Sequence, residues 1–238
     1  IQLTAEMKEA FIALAAAVII SHIFTMPKIR GKYISSPIED VITEEFASRL
    51  AECGNICPHF HLSLQSGCDA TLQRMNRKYT AEEYAKGCQV LRKYFEHPAI
   101  TTDVIVGFPG ETEEEFEESK AFVDKVDFYE THIFKYSKRQ GTKAAIMENQ
   151  IPEEVIKDRF NRLLEEIKIT SEACANRYTG ATMDVLVEEE NEQGEGMLTG
   201  RLSNNLLVHF TGNKELIGKI VPVNLKECKG FYYIGELV

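Results

Sequence analysis

Two segments combine residue types and spacings that could do chemistry. The first is Asp103–Phe116, DVIVGFPGETEEEF. An apolar run delivers the chain to a turn bearing Gly107 and Gly110, which lack a Cβ and let a flat or anionic ligand approach the backbone. A helix starts a few residues later, and its free N–H groups can bind anions. No Lys-Ser/Thr pair follows the glycines, which excludes a nucleotide P-loop. The same letters suit a plain strand-to-helix turn, and the pattern leaves both readings open. The second segment is His61–Gly67, HLSLQSG, in which His61, Ser63 and Gln65 share one strand face. Polar side chains at the carboxyl end of a barrel strand usually face a ligand. A satisfied polar network inside the core is the alternative.

Other candidates carry less. Cys53 and Cys57 stand four apart in CGNIC, but a zinc site needs four ligands, and the next cysteine, Cys68, lies beyond a strand. His59 and His61 share a strand face with no carboxylate or third histidine at an obvious spacing, so they read as structural. Phe134–Ala144, FKYSKRQGTKA, sets Lys135, Lys138, Arg139 and Lys143 around Tyr136. Basic residues beside an aromatic suit phosphate or RNA, and a solvated loop has the same composition. The acidic run Glu188–Glu190 with Glu192 reads as a hairpin tip.

Strands and helices must alternate to place these segments. Thr43-Glu44-Glu45-Phe46 opens a helix to about Ala51, and His59–Gln65 alternates as a strand that Gly67 ends. Asp69 is expected to cap a short helix through Leu72 and Met75. Thr80–Glu83 and Thr112–Glu115 are capping boxes. The first opens a helix with Tyr84, Cys88, Leu91 and Phe95 on one face, and the second a helix carrying Phe116, Phe122 and Val126. Thr101–Val106 and His132–Tyr136 read as strands, and a long amphipathic helix follows Pro152. This alternation predicts βα units in a parallel sheet or partial barrel, with the chemistry at the strand ends. After Tyr178 come five short alternating runs: Met183–Val187, Met197–Arg201, Leu206–Phe210, Ile220–Leu225 and Phe231–Leu237. They predict a small antiparallel barrel and a domain boundary near residue 177.

Composition narrows the function classes. Of 238 residues, 44% are hydrophobic and 27% charged, an ordinary globular balance. A net charge of −10 excludes a broad basic face for bulk DNA, while local patches can still meet RNA. Six cysteines are too sparse for a disulfide scaffold and point to a reducing, cytoplasmic compartment. The apolar run Phe11–Phe24 is 14 residues long, short of the roughly 18 a membrane span needs. It also lacks a signal peptide's basic flank, and so reads as a buried helix or strand, with no membrane partner expected. The chain begins with Ile rather than Met and reads as a piece of a longer polypeptide.

Three segments carry a family resemblance: HLSLQSGCDATLQRMNRKYT (His61–Thr80), TDVIVGFPGETEEEF (Thr102–Phe116) and FKYSKRQGTKAA (Phe134–Ala145). In order and spacing they closely resemble the radical-SAM methylthiotransferases that modify tRNA. ELIGKIVPV (Glu215–Val223) and YYIGELV (Tyr232–Val238) resemble the C-terminal TRAM domain of that family. The resemblance runs from about Tyr33 to the end. CPHFHLSLQSGCD (Cys57–Asp69) is most similar to the branch acting on threonylcarbamoyladenosine beside the anticodon.

The resemblance implies a partial (β/α) radical-SAM barrel over 1–177 and an OB-like TRAM RNA-binding barrel over 178–238. It implies S-adenosylmethionine and [4Fe–4S] clusters as cofactors and the tRNA anticodon stem-loop as partner. A radical made from S-adenosylmethionine takes hydrogen from C2 of the adenine, and a methylthio group is inserted. By the same resemblance Ser63, Gln65 and Ser66 approach S-adenosylmethionine, and Asp103, Ile105, Gly107 and Gly110 line its adenine. Tyr136 and Arg139 lie near the reaction centre, and Lys135, Lys138, Arg201, Asn204 and Lys219 meet RNA.

The chain departs from the family in three places. No CxxxCxxC triplet is present, so this chain is expected to hold no metal, and by itself not to cleave S-adenosylmethionine. The cluster ligands are expected from a missing N-terminal part of the same polypeptide. Ile1–Ala5 resembles a family strand after the cluster loop, but residues 6–32 have no family counterpart. Residues 178–238 hold five Lys/Arg against nine Asp/Glu, so any RNA grip there comes from local patches. Two alternatives remain: the same chemistry on isopentenyladenosine tRNA or a ribosomal protein, and a stand-alone RNA-binding module without catalysis.

Overall fold

The computed structural model describes residues 32–36, 42–53, 56–191, 194, 196–230 and 232–238. The expectations for Ile1–Ala5 and Phe11–Phe24 lie outside them. Four parallel strands form one sheet in chain order: β1 (Lys32–Ser36), β2 (Ile56–Leu62), β3 (Ala99–Val106) and β4 (Glu130–Lys135). Helices connect and cover them: α1 (Glu44–Glu52), α2 (Asp69–Arg74), α3 (Ala81–Tyr94), α4 (Glu113–Val126) and α5 (Glu153–Asn176).

Local chemistry sets the helix starts. Thr80 and Glu83 close a reciprocal capping box at α3, and Thr112 and Glu115 close another at α4. The expected cap at Asp69 is not one. Cys68 holds the N-cap position with no side-chain cap hydrogen bond, and Asp69 is the first helical residue. Its Oδ1 instead accepts the Ala81 N–H at 2.8 Å, tying α2 to the start of α3. β2 begins earlier than the alternation suggested, at Ile56, and stops at Leu62. Gln65 rejoins the sheet beyond it as a single bridge to Val104.

Strand side chains alternate between two faces. One face buries Phe60, Leu62, Leu64, Ile100, Val104 and Val106 against Tyr84 and Leu91 of α3, Phe116 and Val123 of α4, and Ile156 and Leu163 of α5. The other carries His59, His61, Ser63, Asp103 and Ile105, partly exposed, beside exposed His132 and Phe134. The apolar face attaches the helices, and the polar face keeps these side chains partly exposed.

Five further strands close a barrel in the order β5 (Thr182–Glu190), β6 (Met197–Leu202), β7 (Leu207–Thr211), β9 (Tyr232–Leu237), β8 (Ile220–Cys228). β7 and β9 run parallel, and the other four pairs are antiparallel. Val185, Leu198, Val208, Phe210, Val223 and Tyr233 fill the interior. The barrel meets the rest of the chain where β3 and β4 begin. Arg177 bonds Asp127 at 2.6 Å, the Tyr178 ring meets His97 edge-on at 5.6 Å, and Tyr129 packs on the barrel core.

Barrel closure brings β5 and β6 close at Gly200. A Cβ there would lie 2.3 Å from Val185 Cγ1 and 2.7 Å from the Leu186 carbonyl oxygen. Backbone cannot step aside as a flexible side chain can, so Gly200→Ala should destabilise the barrel by about 1–3 kcal/mol. A lower urea midpoint for the barrel transition is the expected reading, and an unchanged midpoint would contradict the tight crossing.

Candidate functional site

The β3–α4 turn is built around a buried carboxylate. Gly107 and Gly110 have φ of 77° and 81°, left-handed values that glycine adopts without strain. Glu111, 3% exposed, accepts the Gly107 N–H at 2.8 Å and Arg159 Nη1 at 2.8 Å. Arg159, 4% exposed, also donates to the Glu111 carbonyl at 3.0 Å and to Glu113 at 3.2 Å. Burial pushes the Glu111 carboxyl up from its ordinary value, against the Gly107 N–H and the guanidinium, which pull it down. A second pair braces the same turn. Arg74 makes a bidentate bond to Glu115, whose carboxylate also accepts the Thr112 N–H at 3.0 Å and the Thr71 hydroxyl at 3.3 Å.

The β2 tip is clamped by two phenols. Tyr84 donates to the Leu62 carbonyl at 2.6 Å, and the Tyr79 hydroxyl lies within 3.0 Å of the Ser63 and Leu64 carbonyls. Gln65 then takes φ of 71° and bonds both sides of β3: its N–H to the Asp103 carbonyl at 2.8 Å, its carbonyl to the Ile105 N–H at 2.9 Å. The two tips expected to meet are therefore neighbours joined through backbone.

On the polar face of the sheet the side chains form a short row. Asp103 Oδ2 accepts from His61 Nε2 at 3.2 Å and from the Ser63 hydroxyl at 3.4 Å. His61 Nδ1 lies 3.0 Å from Thr101 Oγ1, which fixes the ring. His132 stands 6.0 Å from His61, ring to ring. Half-buried Ile105 follows Asp103 on the same face. Beyond β4, the Tyr136 N–H bonds the Val106 carbonyl at 2.9 Å, and its ring meets Phe108 edge-on at 5.4 Å. The Tyr136 hydroxyl is buried and has no partner among the described residues. An acceptor carboxylate, a hydroxyl, an apolar side chain and an orphaned phenol suit a ligand with ribose-like hydroxyls and a flat ring.

Ser63, Asp103, Ile105 and Tyr136 thus gather at the carboxyl ends of β2–β4. Several expected site residues do other things. Gly107 makes room for protein rather than ligand, since a Cβ there would meet Ile156 Cγ1 at 2.4 Å. The equivalent space at Gly110 faces Arg74 at 3.4 Å. Ser66 is buried, its hydroxyl 3.5 Å from Ser119 and accepting the Cys68 N–H. Gln65 is almost fully buried and acts through its backbone. Lys135 lies on the opposite sheet face, its ammonium over the Phe160 ring of α5 at 5.2 Å, because alternation forbids it the side of Tyr136.

Lys138 and Arg139 are exposed in the turn after β4. Arg201 is engaged by Glu188 and Asn205, and exposed Lys219 precedes β8 on the other side of β5. Asn204, 1% exposed, presents no side chain to RNA. It lies at the junction, its carbonyl 3.1 Å from His59 Nδ1 and its Oδ1 capping Leu206. Sequence reasoning missed Glu111, Arg159, Tyr79 and Tyr84. Glu111 sits beside Gly110 and was legible as a turn residue, but its partner 48 positions later was not.

A model of the radical SAM superfamily matches residues 5–123, half of the chain, and one of the TRAM domain matches residues 176–238. The chain belongs to the radical SAM superfamily. It is 54% identical over 183 residues to a tRNA-2-methylthio-N(6)-dimethylallyladenosine synthase of Lachnoclostridium phytofermentans, covering 77% of this chain and 40% of that protein. A protein of the same name from Alkaliphilus oremlandii is 40% identical over 209 residues, 88% of this chain and 44% of its own length. The chain thus spans less than half the length of these curated relatives. Coproporphyrinogen III oxidase from Escherichia coli, a radical SAM enzyme, aligns with a TM-score of 0.51 at 12% identity, over 97% of this chain and 55% of that one. At that identity the likeness concerns the fold alone.

The described residues fit the two family cofactors unequally. Among them no three His, Cys, Asp or Glu side chains stand where they could hold a metal ion. Cys53 is exposed, and burial pushes the Cys57 thiol up, away from the thiolate that iron needs. They do not fit an iron–sulfur cluster. The polar row with Ile105 and Tyr136 fits an adenosyl group.

Two measurements test the turn. Arg159→Met strands a buried carboxylate, and should cost about 3–5 kcal/mol in urea unfolding. Glu111→Leu combined with Arg159→Met should recover part of that loss. For Glu115, burial raises the carboxyl, but Arg74, the Thr112 N–H and Thr71 outweigh it and hold it below its ordinary 4.5. Its stabilising share is complete above pH 4.5 and is lost as pH falls through the lowered folded value. The stability curves of the parent and Glu115→Gln should therefore lie apart at pH 7 and converge in acid.

Proposed function

We propose that this chain is part of a radical-SAM tRNA methylthiotransferase acting on N6-dimethylallyladenosine, the isopentenyl-type adenosine beside the anticodon. The 54% identity over 183 residues to a synthase of that name carries the reading. The target differs from the threonylcarbamoyladenosine suggested by CPHFHLSLQSGCD, which remains the second reading on that segment. We assign residues 1–177 to the partial barrel and 178–238 to the TRAM domain. The tRNA anticodon stem-loop is the macromolecular partner, and the cytoplasm, where tRNA is modified, the location. Among the described residues no helix is long and apolar enough to cross a membrane.

The roles follow from the chemistry of the side chains. Asp103 accepts ribose hydroxyls or offsets the sulfonium charge, with His61 and Ser63 holding its carboxylate. Ile105 offers an apolar surface to the adenine. The Tyr136 phenol, otherwise without a partner among the described residues, donates to a bound polar atom. When bound and reduced, S-adenosylmethionine supplies a carbon radical able to take hydrogen from an adenine ring. The cluster that delivers the electron would be held outside the described residues.

Mass spectrometry of tRNA nucleosides from a strain lacking the gene decides the reading. Loss of 2-methylthio-N6-dimethylallyladenosine is expected. Loss of the threonylcarbamoyl counterpart instead would favour the second reading. With both nucleosides intact, the tRNA reading fails.

A further inference from the structure

The outer face of the C-terminal barrel carries a group of side chains that radical chemistry does not use. Five-stranded barrels of the OB kind bind oligonucleotides on the face of their second and third strands, and on the loops joining strands one to two and four to five. In this barrel the second and third strands, the residue after the first strand and the first residue of the fifth hold polar or aromatic side chains, three of which contact the fourth, His209. Thr199 lies on β6 and His209 directly opposite on β7. Asn191 follows β5, and Tyr232 begins β9 after the turn from β8.

The four form one unit. The His209 and Tyr232 rings are 4.7 Å apart, tilted by 56°. Asn191 Nδ2 donates to His209 Nδ1 at 2.9 Å, and Thr199 Oγ1 lies 3.1 Å from the same nitrogen. An amide nitrogen only donates, so Nδ1 is an acceptor and the neutral ring carries its proton on Nε2. Burial pulls His209 below its ordinary value, which favours that neutral ring. Both rings are partly exposed, while their chain neighbours Val208, Phe210 and Tyr233 are anchored in the barrel core. The two rings form a fixed, uncharged aromatic surface.

Charge does not explain such a surface. Residues 178–238 are net acidic, and the nearby Arg201 is engaged by Glu188. A partner recognised here is held by ring faces more than by phosphate contacts. We propose that His209 and Tyr232 form a stacking ledge for an unpaired RNA base, with Asn191 and Thr199 holding the imidazole. The proposal rests on the reading of the chain as part of a tRNA-modifying enzyme, and it names where the tRNA is gripped.

The sequence contains no tryptophan, so Tyr232→Trp introduces a single reporter into the full chain. An unlabelled anticodon stem-loop RNA should quench its emission, and a fully paired RNA duplex of matched composition should do so far less. In fluorescence anisotropy, Tyr232→Ala and His209→Ala should weaken stem-loop binding roughly tenfold or more, while Tyr232→Phe keeps it within about twofold. The salt dependence should correspond to only about one to three phosphate contacts. Absent stem-loop binding, equal quenching by duplex, or an unchanged affinity in Tyr232→Ala would each overturn the ledge. If an alanine variant fails to fold by circular dichroism, the reporter's quenching decides. Intact methylthio nucleosides in the deletion strain would remove the enzymatic reading while leaving quenching by the stem-loop in place, so the two failures are distinguishable.

Discussion

The Glu111 carboxylate, buried between the Gly107 N–H and the Arg159 guanidinium, governs how the chain leaves β3. A carboxylate this far from water persists only with its charge and lone pairs matched, and here a backbone donor and one guanidinium nitrogen, both on Oε2, match them. The consequence is geometric. α5, which carries Arg159, is held against the turn, and Ile156 fills the space that a side chain at Gly107 would need. α4 starts where Arg74 and Glu115 meet on the other flank. The carboxyl end of β3, with Asp103 and Ile105, takes its position from this brace.

The sheet has two faces with separate tasks. Its apolar face is sealed by α3, α4 and α5 and supplies the stability. Its polar face keeps His61, Ser63, Asp103 and Ile105 partly exposed at the strand ends, and adds His132 and Phe134 from β4. Backbone bonds between Gln65 and β3 make the two tips one rigid edge, so side chains from different strands hold fixed separations. The barrel meets the sheet where β3 and β4 begin, at the end opposite their carboxyl ends.

Much of the architecture was legible from local pattern. The two capping boxes, the apolar spacing of α3 and α4, and the alternating runs of the barrel each depend on neighbours in sequence. The placement of the candidate site's residues was legible in part. Ser63, Asp103, Ile105 and Tyr136 lie where polar and apolar residues at strand ends belong, but Gly107 and Ser66 serve packing and Lys135 faces the helices. A glycine needed for a ligand and a glycine needed for a helix side chain look identical in one dimension. Asn204 shows the same limit, since nothing adjacent to it announces that His59, 145 positions away, takes its carbonyl.

By itself, the amino-acid sequence determined which segments become helix, strand and turn, and, through its motifs, the family. Those outcomes depend on backbone preferences, caps and side-chain periodicity, all of which act within a few residues. Tertiary structure alone decided that Glu111 pairs with Arg159, that Tyr84 holds the Leu62 carbonyl, and that His209 and Tyr232 share a surface. These contacts join distant parts of the chain, and a buried charge, an orphaned phenol or a ring pair acquires meaning only when folding brings its surroundings together.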